Sequence, residues 1–264
     1  MSVASRYRVV VFDMDGVIWS MDDPIPHATG AVERCEAVGC AVYFLTNNSS
    51  KSRQAYADKL GAFGIPARLD RIVTSAQATA WRLSAEGCAG RSAVIIGEAG
   101  LRSELEAVGI RVVEYAEGDR VDYVVVGWDR GLTYDKLAQA HGAIVRGGAT
   151  FIATNRDVTY PFSEGRTMPG GGSLVAAVAA STGVEPITIG KPEPYTLETI
   201  LAYERAAPED CLVVGDRLDT DIAIAAMVGA HSALVLTGVS TAEEAASLDA
   251  RWRPTYVWDD LRSL

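Results

Sequence analysis

No stretch of this 264-residue chain approaches the ~18 consecutive apolar residues of a membrane span. The N-terminal run MSVASRYRVVVFD meets Asp13 and Asp15 before it could form the apolar core of a signal peptide. Positive charge is scarce: 24 Lys and Arg face 34 Asp and Glu, a formal net charge of −10. Such a surface disfavours non-specific binding to nucleic acid or to anionic membranes. Cysteine is scarce as well. Cys35, Cys40, Cys88 and Cys211 form no C-x-x-C pair, and none of the three histidines stands at metal-ligand spacing from them. A zinc ribbon is excluded, and the expectation is four reduced thiols in a cytoplasmic protein. Internal repeats and low-complexity linkers are missing too.

What the chain does have is a set of short Val- and Ile-rich runs separated by longer helical patterns. The runs are Val9–Phe12, Ala41–Leu45, Ala93–Ile96, Asp122–Gly127, Thr150–Thr154, Ile187–Gly190, Leu212–Gly215 and Ala233–Leu236. Continuous apolar runs of this length suit strands covered on both faces, and hence parallel sheets under helices. The alternation of strand and helix predicts an α/β, doubly wound fold.

Four runs end abruptly in polar residues that a buried strand does not need. VVVF meets Asp13-Met14-Asp15-Gly16, AVYFL meets Thr46-Asn47-Asn48-Ser49, ITIG meets Lys191-Pro192, and LVVG meets Asp216-Arg217. If all four lie in one parallel sheet, their carboxyl ends share the edge where α/β sheets bind ligands. Carboxylates there suit Mg²⁺, which takes hard oxygen ligands. Hydroxyl, amide and backbone N–H groups can cradle phosphate oxygens, and a lysine adds point charge. One carboxylate can serve as nucleophile, and a second, two residues on, can protonate a leaving oxygen. In extended chain Asp13 and Asp15 point to the same face, and Gly16 permits a tight turn after them.

The segments DMDGV, LTNNSS, GKPEP and GDRLDTDI together resemble the four motifs of the haloacid dehalogenase superfamily, and more narrowly its NagD-type phosphatases. Any one of them is weak alone; all four in order are specific. The resemblance implies a Rossmann-like core and a Mg²⁺-dependent phosphatase acting on a small phosphorylated metabolite. It implies that Asp13 attacks phosphorus and ligates Mg²⁺. Asp15 is the implied general acid/base and a metal ligand through its backbone carbonyl. Thr46 and Asn47, with Asn48 beside them, bind the phosphoryl group. Lys191 pairs with Asp13 and the phosphate, Asp216 is a further metal ligand, and Asp221 holds a metal-bound water. Asp219, in the same motif, reads as a helix cap.

Roughly 140 residues separate the second and third motifs, far more than a crossover helix needs. With strand-like runs of its own, including RVVEY, this segment reads as an inserted smaller α/β domain. The resemblance makes it a C2-type cap. The expected division is 1–79 and 184–264 for the core and 80–183 for the cap. Asn155, Asp157 and Tyr160 are the cap's candidates for contacting the leaving group. Relatives acting on pyridoxal phosphate carry His where Tyr160 aligns, which argues against that substrate. The glycine run Gly170–Gly172 reads as a packing turn before a helix. Trp19 and Met21 either line the entrance or fill a contact. Members of the subfamily often pair through their caps, so a homodimer is implied.

Two other readings compete. A phosphomutase would keep the same motifs under a cap that excludes water. A phosphate-ligand binding protein without catalysis would not need both Asp13 and Asp15. A haloacid dehalogenase would need neither Asp15 nor a Mg²⁺ site.

Overall fold

A computed structural model describes residues 2–161 and 166–264, which form two compact units. The first comprises residues 1–46, 56–73 and 191–264, and the second 47–55 and 74–190. The segment 80–183 lies inside the second unit; its residues 162–165 fall outside the described ones.

The first unit is organised on a six-stranded sheet in the order Tyr256–Trp258, His231–Val235, Cys211–Gly215, Val9–Asp13, Ala41–Thr46, Ile72–Thr74. Val9–Asp13 runs parallel to both neighbours, with Val9 opposite Cys211 on one side and Ala41 on the other. From this strand the chain winds outward through Ala41–Thr46. It later returns on the opposite side through Cys211–Gly215. The winding therefore reverses between Val9–Asp13 and Cys211–Gly215, the kind of switch point at which α/β sheets bind ligands. Val9, Val10, Val11 and Phe12 are each 1% exposed or less, which is why this strand is apolar on both faces. The helix Ala28–Ala37 buries Ala28, Ala31, Val32 and Cys35, one stripe at helical spacing. Trp19, Tyr56, Leu60 and Ile65 join the same core. All four cysteines are buried and unbridged.

The second unit carries a parallel five-stranded sheet in the order Ile187–Thr188, Thr150–Ala153, Tyr123–Val126, Ser92–Ile96, Arg111–Val112. The helices Tyr134–Val145 and Gly171–Thr182 pack over Val124, Val126, Phe151 and Ala153. At the start of the second of these helices, a Cβ on Gly172 would stand 2.2 Å from the carbonyl oxygen of Arg156. The Gly172 N–H already donates to the Asp157 carbonyl at 2.8 Å. The glycine run thus lets the helix start hard against the loop 155–157, the packing turn expected of it. Among the described residues no helix is long and apolar enough to cross a membrane.

The architecture is the expected α/β one, but three details differ. The ITIG strand, Ile187–Thr188, is not in the core sheet; it is an edge strand paired with Thr150–Ala153. Lys191 therefore enters the first unit from the loop after another sheet's edge strand. β-branched composition favours a strand without choosing its sheet. RVVEY supplies only the short strand Arg111–Val112. The edges of the core sheet, Ile72–Thr74 and Tyr256–Trp258, are three residues each and too short to stand out as apolar runs.

Candidate active site

Within the first unit, two strand ends and the loop after residue 190 bring Asp13, Asp216, Asp221 and Lys191 together. Asp13 is the last residue of its strand, and Asp216 directly follows Gly215. One carboxylate oxygen from each of Asp13, Asp216 and Asp221 lies within 4.8 Å of the others. Lys191, 4% exposed, donates to Asp13 Oδ1, to Asp221 Oδ1 at 2.6 Å and to the Leu45 carbonyl at 3.4 Å. Asp221 is held in turn: its Oδ2 accepts the Arg217 backbone N–H at 3.1 Å. Its Cβ packs where a Cβ on Gly215 would stand, 2.1 Å away, so glycine is required there.

Asp216 is fixed from the far side. Its Oδ2 accepts the Val239 N–H at 2.8 Å, and its backbone carbonyl accepts the Ser240 N–H at 3.0 Å. Gly16, at φ +83°, passes so close that a Cβ would stand 2.4 Å from Asp216 Oδ2. The other oxygen, Asp216 Oδ1, is buried and has no hydrogen-bond partner among the described residues.

The electrostatics follow from this packing. Burial pushes the Asp13 carboxyl well above the usual carboxylate range; Lys191 opposes the shift, while Asp221 and Asp216 add to it. Burial likewise pushes Asp216 up to about 7, with Asp221 adding to the shift and the Val239 N–H opposing it. Burial works against the charge of Lys191, but Asp13 and Asp221 outweigh it and hold the ammonium firmly protonated. Three carboxylates against one ammonium leave a formal charge of −2 in a desolvated site. Together with the unpartnered Asp216 Oδ1, that deficit fits a divalent cation bound by hard oxygens.

After Asp13 the chain turns sharply. Met14 carbonyl accepts the N–H groups of Ile18 at 2.8 Å and Trp19 at 3.1 Å, and Gly16 N–H donates to Trp19 carbonyl at 2.7 Å. The turn brings the Trp19 indole N–H to Asp15 Oδ1 at 2.8 Å. Thr46 ends its strand and is 3% exposed.

Asn47 and Asn48 belong to the second unit. The Asn47 side-chain amide donates to Asp157 Oδ1 at 3.1 Å, and the Asn47 backbone carbonyl accepts from Asn155 Nδ2 at 2.8 Å and from Ser75 Oγ at 2.6 Å. Asn155 Oδ1 also takes the Asp157 N–H at 3.0 Å. Asn155 and Asp157 are thus in direct contact with Asn47. Asn48 Oδ1 closes a local turn by accepting both the N–H and the hydroxyl of Ser50, each at 2.8 Å. The Tyr160 ring stacks on Trp128, with centroids 4.4 Å apart.

Asp219 is not a helix cap. Arg217 grips it through Nε at 3.0 Å and a second nitrogen at 2.7 Å, and a wide helical turn over Leu218–Ile222 carries the chain into the next helix. The short i, i+2 ion pair outcompetes the cap. The sequence reading also missed the Val239–Ser240 clamp on Asp216. These residues follow the strand His231–Val235, and extending the strand-end rule to that strand would have found them.

Residues 10–111 match the family model for haloacid dehalogenase-like hydrolases, and residues 188–264 match a second model of the same kind, described as HAD-hydrolase-like. The chain is 40% identical over 263 residues to a D-glycerol 3-phosphate phosphatase of Mycobacterium tuberculosis, covering all of this chain and 72% of that one. It is 37% identical to a 5'-nucleotidase of Bacillus subtilis, over 97% of this chain and 96% of the relative. A crystal structure of a glycerol phosphate phosphatase from Mycobacterium tuberculosis, in complex with magnesium, superposes with a TM-score of 0.91. There the identity is 38%, covering 100% of this chain and 78% of that one. The chain belongs to the haloacid dehalogenase-like hydrolase family, and its likeness runs to the phosphatases that resemble NagD.

Proposed function

We propose that this phosphatase, a hydrolase of phosphoric monoesters with Mg²⁺ as its cofactor, works through an aspartyl-phosphate on Asp13. The observation that carries this reading is the Lys191 ammonium locked between Asp13 and Asp221 beside the unpartnered buried oxygen of Asp216. A lysine so placed opposes the protonation that burial favours at Asp13 and holds one oxygen of the carboxylate, so that the other can attack. Asp13 and Asp216, with the Asp15 backbone carbonyl, would hold Mg²⁺. When bound, the ion supplies the positive charge that lets an anionic nucleophile approach an anionic phosphate.

Asp13 forms the new bond to phosphorus as the ester P–O bond breaks. Asp15 gives its proton to the departing oxygen, which leaves as an alcohol. Asp15, now a carboxylate, then takes a proton from the water that attacks the acyl-phosphate, returning Asp13 and releasing phosphate. The Thr46 hydroxyl and the Asn47 amide hold phosphoryl oxygens in both steps. Asn155 and Asp157 hold Asn47. The second unit, containing the segment 80–183, takes the part of the family's cap, and Tyr160 on its Trp128 platform is its candidate for selecting the leaving group. The substrate is a small phosphorylated metabolite of the cytoplasm. The two relatives named for a glycerol phosphate and a nucleotide are almost equally similar to this chain, so similarity does not choose between them. Light scattering tests the homodimer that the subfamily implies.

Acid-quenched turnover followed by peptide mass spectrometry tests the nucleophile. The phosphoryl group is expected on the peptide bearing Asp13. The Asp13→Asn variant is expected to be folded and inactive on a panel of phosphoesters with Mg²⁺. A phosphoryl group on another residue, or wild-type turnover by Asp13→Asn free of deamidation, would overturn the assignment.

A further inference from the structure

The loop after the strand His231–Val235 touches two elements of the site. Its Thr237 hydroxyl donates to the Gly16 carbonyl at 2.6 Å, in the turn that follows Asp13. Its Val239 N–H donates to Asp216 Oδ2 at 2.8 Å, and its Ser240 N–H donates to the Asp216 carbonyl at 3.0 Å. Ser240 Oγ in turn accepts the Leu218 N–H at 3.1 Å. The loop is anchored on either side of these contacts. Before it, the Leu236 N–H donates to the Trp258 carbonyl at 2.9 Å. After it, Thr241 and Glu244 exchange hydrogen bonds, Thr241 N–H to Glu244 Oε2 at 2.8 Å and Glu244 N–H to Thr241 Oγ1 at 3.2 Å.

Two glycines from distant parts of the chain converge on a single oxygen here. A Cβ on Gly238 would stand 2.0 Å from Asp216 Oδ2, and a Cβ on Gly16 would stand 2.4 Å from it. Oδ2 is therefore wedged between two backbones and tied by the Val239 N–H, while Oδ1 is buried without a partner among the described residues. From this geometry we propose that the loop Thr237–Ser240 selects the metal: it offers Asp216 to a cation through Oδ1 alone, and Thr237 is a positioning residue that keeps the loop closed. The inference rests on the reading of Asp216 as a metal ligand. Mg²⁺ demands near-octahedral geometry, whereas the larger Ca²⁺ takes about 6–8 oxygens and readily accepts both from one carboxylate. Discrimination between the two ions is a matter of ligand number and flexibility. A carboxylate whose second oxygen is wedged away suits Mg²⁺ and is a poor chelator of Ca²⁺. Without the Thr237 hydroxyl, the loop loses its bond to the Gly16 turn, and Asp216 gains freedom to offer both oxygens.

Isothermal titration calorimetry on protein stripped with EDTA and dialysed, without substrate and at constant pH, gives the dissociation constants for Mg²⁺ and Ca²⁺. Wild type, Thr237→Val, Thr237→Ser, Ser240→Ala and Asp216→Asn are compared. Thr237→Val is expected to weaken Mg²⁺ about three- to tenfold without weakening Ca²⁺, which lowers the ratio of Mg²⁺ to Ca²⁺ affinity by at least about threefold. Thr237→Ser, which keeps the hydroxyl, restores the ratio. A fraction that fails to fold lowers the number of sites titrated and leaves the ratio unchanged, so a purely structural role would not move it. Should Thr237→Val not fold at all, Ser240→Ala decides the matter, because it loosens the other end of the loop by removing the bond to Leu218 and is expected to lower the ratio in the same direction. An unchanged ratio in the deciding variant, whether the two affinities fall together or not at all, would overturn the selective role of the loop. Asp216→Asn is expected to lose measurable binding of either ion. If it binds Mg²⁺ as wild type does, the reading of Asp216 as a ligand falls, and the role of the loop falls with it.

Discussion

Replacing Lys191 by Met should uncouple the charge balance of the site while keeping the length of the side chain. The substitution removes the contacts to Asp13 Oδ1 and to Asp221 Oδ1, the latter at 2.6 Å. At an effective dielectric of about 20, one such contact is worth about 6 kcal/mol of Coulomb attraction. Desolvation of the ammonium offsets several kcal/mol of the total, and breaking a buried ion pair costs about 3–5 kcal/mol net. Protonation limits the damage, because a stranded carboxylate can take up a proton instead. From an ordinary carboxylate pKa near 4 that costs about 5 kcal/mol at about pH 8 but only about 2 kcal/mol at about pH 5.5. Urea unfolding in EDTA should therefore show Lys191→Met about 3–5 kcal/mol less stable than wild type at about pH 8, with the gap narrowing to about 2 kcal/mol at about pH 5.5. In Mg²⁺ the variant should also lose at least about a hundredfold in turnover. A gap below about 1 kcal/mol at the higher pH, or one that does not narrow on acidification, would refute the idea that Lys191 neutralises the buried carboxylates.

Asp216 and Asp157 yield further predictions. Burial raises the folded-state pKa of Asp216 to about 7, above its unfolded value, so the metal-free protein is stabilised where that carboxyl is protonated and loses the increment as pH rises toward and through about 7. Melting temperatures in EDTA should fall between about pH 5 and about pH 8, Mg²⁺ should restore more at the higher pH, and Asp216→Asn should flatten the slope. A slope unchanged in Asp216→Asn would exclude this carboxyl as its source. For Asp157→Asn, competitive inhibition by inorganic phosphate distinguishes two roles, because phosphate has no leaving group. If Asp157 acts by holding the Asn47 amide, the inhibition constant rises about three- to tenfold and kcat/KM falls alike across substrates. Unchanged phosphate inhibition with altered substrate preference would make Asp157 a leaving-group contact instead.

Much of the fold was legible in the chain because burial on both faces leaves a local mark. VVVF, AVYFL and LVVG are apolar at every position, and all three became adjacent core strands. Asp13, Asp216 and Lys191 were legible for a related reason: a charged residue directly after such a run has no structural cause within the run. The helix cap expected at Asp219 failed because a capping preference is worth only about 1 kcal/mol, and Arg217 lies close enough to claim the carboxylate. Trp19 looked like any buried aromatic, since the direction of its N–H depends on how the turn closes.

The sequence by itself therefore determined the alternation of strand and helix, the four motifs and the kind of chemistry they support. These depend on neighbours within a few residues, through periodicity, turn preference and side-chain type. Tertiary structure alone decided which sheet received Ile187–Thr188, which carboxylate Lys191 would share with Asp13, and that Asn155 and Asp157 would bind Asn47, more than a hundred residues away. Those pairings are set by the register of strands and by which oxygen lies within hydrogen-bond reach of which nitrogen after burial.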